Sequence, residues 1–104
     1  MGFKEYEIVY SKKFHADLFE MLDCLNGFSK TTAERYYELV NRKIDTLRMA
    51  PFGATYVRDE RLRALGYRWI YIRNYCLFFI VHEEEQIVQI ERIQYSRREM
   101  DLIL

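Results

Sequence analysis

Beyond Lys43 every cation of this 104-residue chain is an arginine: Arg48, Arg58, Arg61, Arg63, Arg68, Arg73, Arg92, Arg97 and Arg98. A guanidinium presents a planar fork of donors that grips phosphate or carboxylate bidentately and stacks on aromatic rings. Arg68, Arg73 and Arg92 interleave with Tyr67, Trp69, Tyr71, Tyr75 and Tyr95. Arginines and aromatics gathered on one open face would suit a single-stranded nucleic acid or an acidic partner peptide. The run Tyr95-Ser96-Arg97-Arg98 sets a hydroxyl beside two cations, able to exchange a proton next to a phosphate clamp. The plainer reading has arginine stems covering apolar sheet surface, with Arg97 and Arg98 paired to Glu99 or Asp101.

Other chemistry is thinly represented. His15 falls early in a helical segment and reads as a surface residue, and His82 closes a strand beside three glutamates. Cys76 has no histidine in register to activate it as a nucleophile. No Ser-His-Asp order, phosphate-cradling glycine loop or metal-ligand spacing is present, so no metal and no cofactor is expected.

The elements that must position these groups follow from hydrophobic period. Residues 3 to 10 alternate, with Tyr6, Ile8 and Tyr10 on one side and Glu5 and Glu7 on the other, a half-buried strand. Ser11 can cap a helix whose apolar stripe is Phe14, Leu18, Met21, Leu22 and Leu25, stopped by Asn26-Gly27, residues that tolerate a left-handed conformation. A second helix starts near Ser29 to Thr32, with Thr31 and Glu34 as a capping box and Ala33, Tyr36, Tyr37, Val40, Ile44 and Leu47 as its buried face. Pro51 ends it.

Residues 52 to 66 read as a loop with one helical turn or as a weakly patterned strand. YRWIYIR at 67 to 73 alternates, CLFFIV at 76 to 81 is apolar throughout, and QIVQIERIQ at 86 to 94 alternates again. Short turns at Asn74 and Glu83 to Glu85 make these three an antiparallel meander with CLFFIV in the middle. The expected fold is α+β: an N-terminal strand, then a two-helix antiparallel hairpin packed on one face of a small antiparallel sheet ending in a three-strand meander. The other face stays partly open.

Composition sets the outer bounds. Half the residues are apolar and 16% aromatic, which excludes a disordered chain, and the length suits a single domain over 1-104. Sixteen Lys and Arg balance sixteen Asp and Glu, so attraction to nucleic acid or anionic lipid must come from a local patch. The N-terminus has no signal-peptide pattern, the longest apolar run is too short to span a bilayer, and Cys24 and Cys76 read as buried free thiols. A cytoplasmic protein without membrane contact is expected.

In order and spacing the motifs resemble the RelE/ParE superfamily of type II toxin–antitoxin toxins. The resemblance runs through EIVYSKKF, the helix SKTTAERYYELVNRKIDTLRMAPFG, the block GYRWIYIRNYCLFFIV and the closing VQIERIQYSRREMDLIL. It implies a growth-inhibiting toxin neutralised by an antitoxin protein that wraps a segment around it, of a kind associated with plasmid stabilization. It also implies two targets. RelE-like members are mRNA interferases that cut message in the ribosome without metal; ParE-like members poison DNA gyrase and are not nucleases. A homodimer is compatible with either branch, as is a member of the fold that only binds.

Residue chemistry bears on the branch. Cleavage by the RNA's own 2′-hydroxyl needs a base, an acid and cations on the developing phosphorane charge. On the nuclease reading Tyr95, Arg97 and Arg68 are the catalytic candidates, and Arg73, Tyr75, Arg92, Arg98, Arg58 and Arg61 hold target or phosphate. The resemblance also implies an arginine early in the strand after the hairpin turn, where this chain has Tyr75 or Cys76; losing such a cation costs on the order of 10²–10³ in rate. With the neutral net charge, that departure tilts the reading towards the ParE-like branch.

Overall fold

The alternation at the N-terminus produces β1 (Glu7–Tyr10), and Ser11 turns the chain into α1 (Lys12–Asn26). These come from a computed structural model that describes residues 5–96. Ser11 Oγ accepts the Phe14 N–H at 2.9 Å, satisfying one of the donors a helix start leaves free. At the far end Gly27 is right-handed, at φ −63°, and does not use the left-handed conformation open to it. Its N–H still bonds the Asp23 carbonyl, so the helical ladder runs on to the glycine itself.

Ser29 caps α2 (Lys30–Met49) by accepting the Thr32 N–H. The expected Thr31–Glu34 capping box is not used, because Ser29 is the last extended residue and takes the cap position two residues earlier. A 3₁₀ turn at Pro51–Gly53, the short strand β2 (Thr55–Tyr56) and α3 (Glu60–Ala64) follow. The segment that the sequence left between helical turn and strand therefore holds both. Asp59 starts α3 by accepting the Arg61 and Leu62 N–H groups, and those bonds hold its carboxyl below the usual range.

β3 (Tyr67–Ile72), β4 (Tyr75–His82) and β5 (Ile87–Tyr95) form the meander, with β4 central in the order β1-β5-β4-β3-β2. The meander and β2 are antiparallel, while β1 runs parallel to β5. In the two-residue turn after β3 it is Arg73, not Asn74, that takes the positive φ, at 54°. A bulge at Glu91 breaks the β4–β5 register, with Phe78 opposite Arg92 and Phe79 opposite Ile90.

Both helices lie on one side of the sheet. Phe14, Met21, Val40, Ile44 and Leu47 pack there against Ile72, Leu77, Phe79, Val88, Ile90 and Ile93, each contributing roughly 1.5–3 kcal/mol by leaving water. The other side has a smaller cluster in which Val57 and Leu62 cover Cys76 and Phe78 beside Tyr67 and Trp69. This explains why CLFFIV is apolar on both faces. Two expectations are corrected: Tyr37 points outward from α2, and Cys24 is exposed, so only Cys76 is a buried thiol.

Candidate functional site

Of the expected gathering of arginines and phenols on one open face, strand period and register send Arg68, Tyr75 and Tyr95 to the other side. Arg68 lies across from Phe79, which is in the helix-side core, so it faces the helices and not Trp69's side. There its guanidinium stacks on the Tyr56 ring at 3.9 Å and donates to the Tyr56 hydroxyl and the Ala54 carbonyl, both at 2.8 Å. Phe52 flanks it at 5.3 Å. Cross-strand pairing of Tyr56 with Arg68 brings this about.

Arg92 lies across from Phe78 of the open-side cluster but is drawn to the sheet edge. It grips Asp17 of α1 through Nε at 2.6 Å and Nη2 at 2.9 Å, and the same carboxylate accepts the Ile93 N–H at 3.2 Å. Both side chains are largely shielded, at 18% and 13% exposure. β1 pairs with β5 only as far as Ile90, so the later part of β5 would otherwise show bare main chain. Ser11 closes the next stretch, its N–H on the Ile90 carbonyl and its hydroxyl on that of Glu91, and Asp17 closes the stretch beyond. Arg92 is thus the counter-ion of an edge seal, not a free phosphate ligand.

The phenols are split as well. Tyr75 and Tyr95 face each other at 5.6 Å on the helix side, and Tyr75 also meets Tyr36 of α2 at 5.7 Å. Burial, with the Cys24 thiol and the two neighbouring phenols, raises the Tyr75 pKa and keeps it protonated. Tyr95 is exposed at the strand end, where the Ser96 N–H bonds the Asn74 carbonyl beside Arg73. Arg97 and Arg98 lie outside the described residues.

The open side carries Tyr67, Trp69 and Tyr71, with Trp69 and Tyr71 edge to face at 4.5 Å. Its polar groups form a chain. His82 Nε2 meets Gln89 Oε1 at 2.8 Å, Gln89 Nε2 donates to Glu91 at 2.8 Å, and the Tyr67 hydroxyl donates to Glu91 at 3.0 Å. Because the Gln89 amide donates to Glu91, its oxygen must accept from His82, which puts the imidazole proton on Nε2. Burial and the Glu91 carboxylate push the Tyr67 pKa to about 12, so this hydroxyl holds its proton at neutral pH. The surface is aromatic and locally acidic, favourable to a protein partner and unfavourable to a phosphate backbone.

Exposed arginines stand at its margin. Arg58, Arg61 and Arg63 surround α3, and the contact of Arg61 with Asp59, at 3.7 Å with Arg61 91% exposed, is a loose surface pair. On the outer side of the helical hairpin, Phe19, Leu22 and Tyr37 line a groove of about 610 Å³ rimmed by Asp23, Glu34, Glu38 and Lys30. Among the described residues no cluster could hold a metal ion, and no helix is long and apolar enough to cross a membrane.

Sequence reasoning missed Asp17, Glu91, Tyr56 and Phe52, the residues that decide where the arginines and Tyr67 point. One signal was present: Asp17 sits between Phe14 and Met21 on the inward stripe of α1, an acid where an apolar residue belongs.

Comparison with known proteins places this architecture. A search of the curated proteins finds no match. Among solved structures, the fold is similar to that of a chain in the chromosomal ParDE toxin–antitoxin system of Pseudomonas aeruginosa, with TM-score 0.72 at 16% identity, covering 90% of this chain and 99% of the other. It is also similar to a chain in the RelBE2 toxin–antitoxin complex of Mycobacterium tuberculosis, with TM-score 0.63 at 16% identity, covering 88% and 99%. The family model of the ParE toxin of the type II toxin–antitoxin system parDE matches residues 8–100. With the sequence match spanning nearly the whole chain and the fold agreeing, this protein belongs to the ParE toxin family of type II toxin–antitoxin systems.

Proposed function

We propose that this toxin arrests growth by gripping a protein target, DNA gyrase, and that it is not an mRNA nuclease. One observation carries the reading: of the groups a nuclease would need together, the described ones are held apart. Arg68, though on the same side as Tyr95, is fastened to Tyr56 and the Ala54 carbonyl at the opposite end of β3 from Ile72, whose partner Tyr75 faces Tyr95, and Arg92 is held by Asp17. What remains accessible, the exposed Tyr71 and half-buried Trp69 beside the arginines of α3, has the aromatic and guanidinium character of a protein interface. An antitoxin neutralises the toxin, and the apolar groove between α1 and α2 offers a segment of it a place to bury side chains.

Inducible expression tests this, with thymidine and methionine incorporation followed separately and gyrase supercoiling assayed with the purified protein. Replication arrest with intact mRNA, and loss of supercoiling, are expected. Early collapse of protein synthesis with fragmented mRNA would overturn the proposal. Normal growth with a folded product would leave a binding module of the same fold. The nuclease reading keeps one point in its favour, the exposure of Tyr95 just before Arg97 and Arg98 in sequence. On that reading Tyr95→Phe would abolish mRNA cleavage; on ours it leaves growth arrest intact.

A further inference from the structure

Among the described residues, β1 is an outermost strand of the sheet, with no strand on its far side. Its pairing with β5 uses alternate residues, Glu7 donating to the Gln86 carbonyl and Ser11 to that of Ile90, both at 2.9 Å. The main-chain N–H and C=O of Ile8 and Tyr10 therefore point outward. Tyr6 is already used, its N–H bonded to the Arg48 carbonyl at 2.8 Å.

We propose that β1 is a self-association edge, on which a second copy of this chain adds its own β1 antiparallel across a two-fold axis at Val9. The free groups select this register. Centring the axis on Ile8 would oppose Tyr10 to Tyr6, whose N–H is taken; centring it on Val9 opposes Ile8 to Tyr10 twice, each pair exchanging two hydrogen bonds. Val9, 38% exposed, then meets its own copy on the open side of the sheet. Charge agrees with the same register. It carries Glu5 and Glu7 of one copy towards Ser11 and the exposed Lys12 and Lys13 of the other, and the two-fold repeats the attraction. The chain's zero net charge adds no overall repulsion. A contact of this kind buries less than about 1,200 Å², so the dimer is weak and concentration-dependent.

Two charge-reversed proteins test the register. Glu5→Lys with Glu7→Lys sets lysine against lysine, and Lys12→Glu with Lys13→Glu sets acid against acid; acids at the start of α1 suit the helix dipole, so folding is retained. In sedimentation equilibrium each variant alone should dissociate about tenfold more readily than the unaltered chain. An equimolar mixture should recover association, because both contacts in the mixed dimer are then attractive. Amide exchange at Ile8 and Tyr10 should slow as the unaltered protein is concentrated. A monomer at every concentration, a dimer indifferent to both variants, or a mixture no tighter than its components would each overturn the proposal.

Discussion

Arg92 and the arginines of α3 carry the same group to opposite ends. Arg92 meets a shielded carboxylate that also caps a strand edge, so its charge holds α1 against β5. Arg58, Arg61 and Arg63 stand in water with one loose partner between them among the described residues. Arg68 falls between, fastened to a ring and a carbonyl yet partly wet. Partner and depth divide a fastened guanidinium from an open one; residue type does not.

The sharpest way to break this contrast is to remove Asp17. Asp17→Ala leaves Arg92 shielded without its counter-ion and uncaps the Ile93 N–H, so a loss of about 3–5 kcal/mol is expected, enough to lower the melting temperature by more than ~10 °C. A shift of only a degree or two in a thermal melt would mean that water already serves this corner. Arg68→Ala is intermediate. It forfeits a stacked cation and two hydrogen bonds, about 1–2 kcal/mol, and denaturant titration should place it between the extremes.

Tyr67→Phe acts through pH. The folded-state pKa of about 12 lies above the ordinary phenol value of 10, so the folded state retains a proton that the unfolded chain releases. That contribution is whole below pH 10 and is lost as pH rises towards 12. The variant should therefore lose less stability than the unaltered protein across that window; parallel curves would show that burial and Glu91 do not make the folded Tyr67 hydroxyl hold its proton more tightly than the unfolded one. Smallest in stability is Arg61→Ala with Arg63→Ala, expected within about 0.5 kcal/mol. If these arginines grip the target, growth arrest should weaken in the same variant while the melting curve stays put.

Much of the fold was legible in the chain. Periods of two and near three and a half located β1, both long helices and the meander, and the unbroken apolar run CLFFIV marked β4 as central. Of the adjacent Tyr36 and Tyr37, both compatible with the apolar period of α2, only Tyr36 turns to the sheet, against Tyr75, and Tyr37 stays exposed. The candidate site was legible only as residue types. A one-residue change of strand phase sends a side chain to the other face, and the bulge at Glu91 and the end of β1 at Tyr10 leave no mark in composition.

Local patterning by itself determined the elements, their order and the family, because apolar period and turn chemistry act between residues close along the chain. Tertiary structure alone decided which arginine is free. That depends on Asp17, Tyr56 and Glu91, and for Asp17 and Arg92 the partners are 75 positions apart, brought together only when the helices close over the sheet. Electrostatic pairing falls off with distance in space and takes no account of distance along the chain, so no local pattern could have announced it.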